Sequence, residues 1–223
     1  LGAVDFLMWV VTGISTGLTQ GFSIQLSQYY GAKDFENLRK SLAHSYRLTA
    51  FIAAGVLILS QSFASLVLTG LHTPSNIIGM SLLYLRIIFC GIPATAAYNM
   101  FASALRAMGN SKTPLTAMII ASVLNVSLDI LFVAGFGWGV AGAAIATVIA
   151  QSFSAVYCFL ILRRIDIVHL TRADFMPASG MNARLMKLGI PVVFQNIIIG
   201  VGGLVVQYVI NGYVFLFVAG FTA

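Results

Sequence analysis

The strongest constraint on the fold of this chain is a long apolar run that contains a single charge. Residues 113–137 read TPLTAMIIASVLNVSLDILFVAGFG, and between Pro114 and Ala134 the one charged side chain is Asp129. A run of about 20 apolar residues can cross the hydrocarbon core of a bilayer as a helix. A carboxylate inside such a helix costs about 2.5–3.5 kcal/mol on insertion scales, so Asp129 predicts a functional site. The alternative is that Asp129 lies close enough to the outer interface to stay hydrated.

The composition of the whole chain indicates the same class. Only 8% of the 223 residues are charged and 59% are hydrophobic, whereas soluble domains carry about 25% charged residues. We therefore predict an all-α integral membrane protein, folded as a polytopic helical bundle. Cys90 and Cys158 fall in apolar segments without metal-ligand spacing, and no nucleotide-binding or hydrolase motif occurs. The sequence thus predicts no enzyme, no cofactor, no metal site and no nucleic-acid partner.

Six membrane spans are predicted from the apolar runs. They cover residues 8–30, 43–69, 77–104, 114–134, 140–162 and 188–215. The third contains Gly91 and Pro93, and because proline removes a helical hydrogen bond we expect a bend there and a candidate hinge. In the first span, Gly13, Gly17 and Gly21 favour close helix packing, with cavity lining as the alternative.

The basic residues predict the orientation in the membrane. Eleven of the 12 lie in or beside the loops that follow the first, third and fifth spans, so these loops are expected to be cytoplasmic. The exception, Arg86, is expected to extend to the outer interface. We therefore predict a multi-pass protein of the plasma membrane. Its first span would enter from outside, which leads us to expect at least one further span upstream.

Depth along the spans groups several polar side chains. At 1.5 Å per residue, Asp129 lies about 7–8 Å inside the outer end of its span, and Thr147 and Tyr84 each lie about 12 Å inside theirs. Asn125 is one helical turn from Asp129 on the same face. A buried carboxylate among neutral donors can take up a proton or hold a small cation such as Na⁺. The predicted cation-coupling residues are Asp129, Asn125, Thr147 and Tyr84, and the candidate cavity-lining residues are Gln20, Gln25, Asn99 and Gln151.

Residues 104–151, ALRAMGNSKTPLTAMIIASVLNVSLDILFVAGFGWGVAGAAIATVIAQ, resemble the multidrug and toxic compound extrusion (MATE) transporters. The first span, GISTGLTQGFSIQLSQYYGAKD, and the later run IPVVFQNIIIGVGGLVVQYVINGY are similar to the same family. The resemblance implies twelve helices in two six-helix lobes around a V-shaped cavity. It also implies export of organic, often cationic compounds in exchange for protons or sodium.

The resemblance assigns this chain to helices two to seven of such a transporter. Residues 1–164 would belong to the N-terminal lobe, 165–187 to a cytoplasmic connector, and 188–223 to the first helix of the C-terminal lobe. Helix one and the rest of the C-terminal lobe would be missing partners. Asn125 and Asp129 match an Asn and an Asp of the family's fifth helix, Thr147 a Thr of the sixth, and Tyr84 a Tyr of the fourth. One subgroup of the family has a glutamate in helix seven. This chain has only neutral amide side chains in that helix, which favours its membership of the DinF-like branch.

The predicted function is secondary active efflux of small organic cations or drugs across the lipid bilayer, coupled to H⁺ or Na⁺. Two alternatives remain. A lipid-linked oligosaccharide flippase of the same fold superfamily would need a basic cavity for pyrophosphate. A passive channel or a structural helix bundle would have no activity that depends on a pH or sodium gradient.

Overall fold

The computed structural model describes residues 2–70, 75–176 and 180–211, and within these ranges the chain is helical with no strand. The seven α-helices are α1 (Gly2–Gly31), α2 (Phe35–Gly70), α3 (Ser75–Cys90), α4 (Ile92–Ala107), α5 (Lys112–Asp129), α6 (Gly139–Arg163) and α7 (Met181–Asn211). A π-helical segment, Ile130–Gly135, extends α5, and two short 3₁₀ helices, Asp166–Val168 and Arg172–Phe175, lie between α6 and α7. The predicted all-α class is confirmed.

Four of the described helices are long and apolar enough to cross a membrane. They cover Phe35–Leu66, Lys112–Gly135, Gly139–Arg163 and Met181–Gly203, and the bent pair α3 and α4 is a fifth when counted as one span. The first predicted span, residues 8–30, lies in the 30-residue helix α1. Its described part carries polar residues that include Thr16, Thr19 and Gln20.

The predicted break in the third span is confirmed as a bend of 41° between α3 and α4. The Gly91 amide donates to the Ile88 carbonyl at 2.8 Å, which closes α3, and Pro93 lies in the first turn of α4. A proline is tolerated there because the first amides of a helix have no intrahelical partner. Gly91 also lets α6 approach, since a Cβ at this position would lie 2.8 Å from Val148 Cγ2.

The predicted close packing of the first span is confirmed along α7. A Cβ on Gly17 would lie 2.8 Å from Val193 Cα, and one on Gly21 would collide with Gly189 Cα. The two helices therefore meet backbone to backbone through small residues. Asn196 extends the contact, because its side-chain amide donates to the Gly13 carbonyl at 3.4 Å.

Two helices begin earlier than the apolar runs indicate. The Asp34 carboxylate caps α2 by accepting hydrogen bonds from the Asn37 backbone amide at 3.1 Å and from its side chain at 2.7 Å. This cap starts α2 at Phe35, eight residues before the predicted span. Helix α7 begins at Met181, inside the predicted connector 165–187. The division of the chain into lobes stays a prediction.

The main apolar core lies between α1, α2, α4, α6 and α7. Its large, fully buried side chains include Phe22, Leu26, Leu38, Leu42, Met100, Leu105, Leu162 and Leu185. Helix α5 lies at the edge of this bundle, with only Pro114, Ala117 and Ala121 buried and a row of exposed aliphatic residues on its outer face. Such a face is expected of a helix that contacts lipid.

Candidate functional site

Small residues on α6 bring α5 close to it. Gly142, Ala146 and Ala150 are buried on one face of α6. A Cβ on Gly142 would lie 2.9 Å from the Cβ of Phe132 in the π-helical segment, so a larger residue at this position would push the two helices apart. The close approach allows polar side chains of α5 to reach α6.

Asn125 and Thr147 are in contact across this α5–α6 interface. The Asn125 side-chain amide donates to the Thr147 hydroxyl oxygen at 3.4 Å. The Thr147 hydroxyl itself donates to the Ala143 carbonyl at 3.0 Å, so its oxygen is left to accept. The structure therefore joins two of the four predicted coupling residues, although their role in binding a cation stays a prediction.

Asp129 is half-buried at the end of α5, one turn after Asn125, and the π-helical segment starts at the next residue. Its Oδ1 atom is buried and has no hydrogen-bond partner among the described residues, and no ion pair recorded there involves Asp129. Leaving a buried polar atom unpaired costs about 1–3 kcal/mol, and more when the group is charged. A proton or a small cation on the carboxylate would remove this penalty. π-Helical turns also occur frequently at functional sites.

An aromatic cluster follows Asp129 at the outer end of the hairpin between α5 and α6. The Phe132 ring stacks on Phe136 and on Trp138, with centroid separations of 6.1 Å and 5.1 Å. Phe136 and Trp138 are exposed, and tryptophan is enriched at membrane interfaces. The cluster lies on the side of Asp129 that the charge pattern assigns to the outer interface, and the depth of the carboxylate in the membrane stays a prediction.

Two small cavities meet at Thr147 and Gln151 on α6. One has a volume of about 120 Å³, and its polar wall residues are Thr12, Ser15, Thr95, Thr147 and Gln151. The other has a volume of about 190 Å³, and its polar wall residues are Tyr98, Ser122, Asn125, Thr147, Gln151 and Ser154. Asp129 is in neither wall. No basic or acidic side chain is in either wall, so these cavities are uncharged and combine neutral polar with apolar residues.

Tyr84, the fourth predicted coupling residue, is not joined to the other three. It is half-buried on α3, lies in neither cavity wall, and its hydroxyl has no recorded hydrogen bond to a described residue. The part of the chain that the structure describes also holds no cluster of three or more His, Cys, Asp or Glu residues. A cation at Asp129 would therefore rely on one carboxylate and neutral oxygens.

The other predicted cavity-lining residues have different surroundings. Asn99 on α4 donates to the Thr16 hydroxyl on α1 at 3.2 Å. Gln25 is buried and donates to Met181 Sδ at 3.1 Å, so it contributes to the α1–α7 contact. Gln20 is exposed and lies in neither of the two cavity walls. Of the four, the structure places Gln151 in a cavity wall.

Three serines in the cavity walls are not among the predicted coupling or cavity-lining residues. Ser15 is buried, and its Oγ atom has no partner among the described residues. Ser154 follows Gln151 by three residues and Ser122 precedes Asn125 by three, so each lies on the helical face of a predicted residue. Helical spacing from the predicted residues would have found Ser122 and Ser154, whereas Ser15 gave no such signal.

A bundle of span-length helices with one broken span defines a polytopic membrane protein. The MatE family model matches residues 2–131, which is more than half of the chain. The chain therefore belongs to the MatE family, whose members are multi-pass proteins of the plasma membrane.

Individual relatives agree with this assignment. The chain is 31% identical over 217 residues to the probable multidrug resistance protein YpnP of Bacillus subtilis, covering 97% of this chain and 48% of that protein. It is 25% identical over 207 residues to the multidrug export protein MepA of Staphylococcus saprophyticus, covering 92% of this chain and 46% of that protein. The chain thus spans about half the length of the curated relatives it matches.

The fold is also similar to that of a solved transporter. A structure described as the inward-facing conformation of a multidrug resistance MATE family transporter of the MOP superfamily superposes with a TM-score of 0.82 at 22% sequence identity. The match covers 89% of this chain and 47% of that one. The match confirms a MATE-type fold for this chain, whereas the arrangement of twelve helices in two lobes stays a prediction.

Proposed function

We propose that the protein containing this chain exports organic, often cationic compounds in exchange for H⁺ or Na⁺, and that Asp129 binds the coupling cation. The observation that carries the proposal is the buried Oδ1 atom of Asp129, which has no partner among the described residues. The names of the relatives, a multidrug resistance protein and a multidrug export protein, support the substrate class.

Cation binding would act on the packing of α5 against α6. The charged form of Asp129 is penalised because one of its oxygens is held away from water without a donor. Binding of a proton or Na⁺ neutralises the carboxylate and lowers the cost of burying it. Since Asn125 is one turn away and bonded to Thr147, a change at Asp129 alters the contact that holds α5 to α6.

The α3–α4 bend supplies a way to convert this local change into a larger movement. Val148 follows Thr147 on α6 and lies against Gly91, and all three residues line the smaller cavity. A shift of α6 at Thr147 would therefore change the contact between Val148 and Gly91 and so alter the α3–α4 bend. Discontinuous helices beside a binding site are a recurrent element of alternating-access transport. Gly91 and Pro93 are proposed to act as the hinge.

The two candidate cations make different demands on the site. A proton needs only the Asp129 carboxylate, whereas Na⁺ needs several oxygens, which Asn125 and Thr147 would have to supply. An oligosaccharide flippase is disfavoured because no Arg or Lys lies in the wall of either cavity that contains Thr147. A passive channel is disfavoured by the unpaired buried carboxylate, for which a static pore has no use.

The test is the substitution Asp129→Asn in the full-length protein, reconstituted in vesicles with an imposed pH or sodium gradient. We expect gradient-driven efflux of a cationic dye to be lost while the amount of membrane-inserted protein is unchanged. Asp166→Asn is the matched control, because this carboxylate is fully exposed between α6 and α7. Comparison of the two gradients on the unaltered protein identifies the cation. Efflux retained by Asp129→Asn would refute the proposal.

A further inference from the structure

An apolar groove outside the candidate site runs between α2, α4 and α6. It has a volume of about 350 Å³, and its wall is made largely of alanines and aromatic rings, with Tyr46 at one end and Leu57 and Pro93 at the other. These ends are about 16 Å apart along α2, at 1.5 Å per residue. Ala54 and Ala97, which have small side chains, give the groove its depth. A groove of this length and polarity fits a hydrocarbon chain.

The Tyr46 end of the groove borders a second cavity of about 250 Å³, since Tyr46 and Phe159 belong to both walls. Arg163 and His169 are in the wall of this second cavity. It therefore lies at the end of the bundle where the basic residues predict the cytoplasmic surface. The apolar groove therefore ends beside a second, more polar cavity with basic residues in its wall, which we call the basic mouth.

Arg163 is available to bind an anion at this mouth. Its side chain is exposed, and no described residue accepts a hydrogen bond from it or forms an ion pair with it. His169 in this wall has Asp166 as its acidic neighbour: Asp166 Oδ1 lies 3.8 Å from His169 Nε2, and the Asp166 side chain is fully exposed. Neighbouring Arg47 donates to the Phe175 carbonyl at 3.1 Å, so it is engaged with the connector.

Thr49 adds an unpaired polar group to the groove. Its side chain is 8% exposed, and its Oγ1 atom is buried without a hydrogen-bond partner among the described residues. Thr49 lies in the groove wall about one helical turn from Tyr46, on the side away from the basic mouth. A hydroxyl at this depth can donate to the ester carbonyl of a lipid whose phosphate lies at the mouth.

We infer that this groove binds one anionic phospholipid of the cytoplasmic leaflet. One acyl chain occupies the space between Tyr46 and Leu57, and the phosphate binds the Arg163 guanidinium, which can donate two hydrogen bonds to phosphate oxygens. Basic pockets between helices on the cytoplasmic side are a known basis for recognition of anionic lipids. A zwitterionic lipid would gain less from Arg163, and a free phosphate would leave the apolar groove unfilled.

The position of Pro93 would bring the bound lipid into contact with the helix that follows the α3–α4 bend. Pro93 lies in the groove wall and in the first turn of α4, next to the 41° bend. An acyl chain in the groove would therefore contact the first turn of α4, directly after the bend.

The experiment is native mass spectrometry of the full-length protein in micelles that contain equal amounts of phosphatidylglycerol and phosphatidylcholine with the same acyl chains. We expect the protein to retain phosphatidylglycerol in preference to phosphatidylcholine. Arg163→Ala should reduce retained phosphatidylglycerol about fivefold, the factor expected for one basic residue at an anionic lipid. Arg164→Ala is the matched control, because it removes an adjacent exposed charge that is in neither cavity wall.

A second pair of variants tests the groove itself. Ala54→Phe fills the groove from its exposed side and should displace both lipids, whereas Val123→Phe places the same ring on the exposed face of α5 and should displace neither. Equal retention of the two lipids by the unaltered protein would overturn the inference. Equal losses in Arg163→Ala and Arg164→Ala, or unchanged phosphatidylglycerol in Ala54→Phe, would overturn it as well.

Discussion

The side-chain amide of Asn125 donates a hydrogen bond to the hydroxyl oxygen of Thr147, at 3.4 Å across the interface between α5 and α6. Among the described residues this is the one side-chain hydrogen bond recorded between these two helices. The hydrogen bond lies one turn from Asp129. Thr147 also lies in the walls of the two small cavities that meet at Thr147 and Gln151. The contact therefore connects the carboxylate helix to the interior of the bundle.

Removal of the Thr147 hydroxyl should weaken coupling without abolishing it. Thr147→Val keeps the shape of the side chain but leaves the Asn125 amide without its partner. A hydrogen bond of this kind contributes about 0.5–1.5 kcal/mol, so we expect gradient-driven efflux to fall about twofold to tenfold. Thr147→Ser retains the oxygen and should stay near the rate of the unaltered protein. The prediction is wrong if the Val and Ser variants transport at the same rate.

Gly17→Ala should destabilise the contact between α1 and α7. The new Cβ would lie 2.8 Å from Val193 Cα, and because the obstacle is backbone the helices must separate. Overpacking of this kind costs about 1–3 kcal/mol, so the thermal unfolding midpoint of the detergent-solubilised protein should fall. Gly13→Ala is the control, because its Cβ would lie 3.9 Å from Asn196 Cβ, an ordinary contact distance. A lower midpoint for Gly13→Ala than for Gly17→Ala would contradict this account.

Gly91→Ala should crowd Val148 and thereby couple the bend to α6. The added Cβ would lie 2.8 Å from Val148 Cγ2, whereas the backbone at Gly91 is in the right-handed region, which alanine adopts freely. The strain is thus steric and falls mainly on Val148, with the Ile88 carbonyl oxygen at 3.0 Å as a second close neighbour. We expect Gly91→Ala to be less harmful in a Val148→Ala background, with a coupling free energy of about 0.5–2 kcal/mol in a double-mutant cycle of unfolding midpoints. Additive effects would show that the two residues are not in contact.

Acidic pH should remove the contribution of the Asp34 cap at the start of α2. Hydrogen bonds from Asn37 hold the pKa of Asp34 below its ordinary value of 3.8. Because the folded-state pKa is lowered, the stabilisation is fully present above pH 3.8 and is lost as the pH falls through the folded-state pKa. Asp34→Ala should therefore lower the unfolding midpoint at pH 7 and have progressively less effect as the pH falls below 3.8. Asp166→Ala, which removes an exposed charge without a capping role, serves as control. If the difference in unfolding midpoint between Asp34→Ala and the unaltered protein grew as the pH fell, the capping role of Asp34 would be excluded.

Local sequence features predicted more of the fold than of the site. The Gly91 and Pro93 pair predicted the bend because a missing amide hydrogen bond breaks a helix wherever it occurs. Apolar runs located the helices but not their first turns, since the Asp34 cap and the early start of α7 involve polar residues outside the hydrocarbon. The π-helical segment after Asp129 had no signal in the sequence. Its backbone geometry accompanies the packing of Phe132 on Gly142 and Trp138.

The surroundings of buried polar residues outside the apolar core could not be predicted from the local sequence either. His44 lies in α2 near the loop that the charges assign to the cytoplasm, and its surroundings do not follow from its neighbours in sequence. In the structure its ring nitrogens lie 2.7 Å from the Asn182 side-chain oxygen and 3.1 Å from the Met176 carbonyl. These partners are more than a hundred positions away and come from the connector and from α7. Helical periodicity cannot predict contacts of that separation.

The sequence by itself determined that this chain lies in a membrane, where it bends, and that one carboxylate is held among apolar residues. Each of these follows from local composition, because transfer into lipid and helix breaking depend on neighbouring residues along the chain. Only the tertiary structure decided that Asn125 meets Thr147, that Tyr84 lies apart from them, and that Gln25 packs on α7. Those outcomes depend on how small residues such as Gly21, Gly91 and Gly142 set the approach of distant helices, and a few ångströms of approach decide which side chains touch.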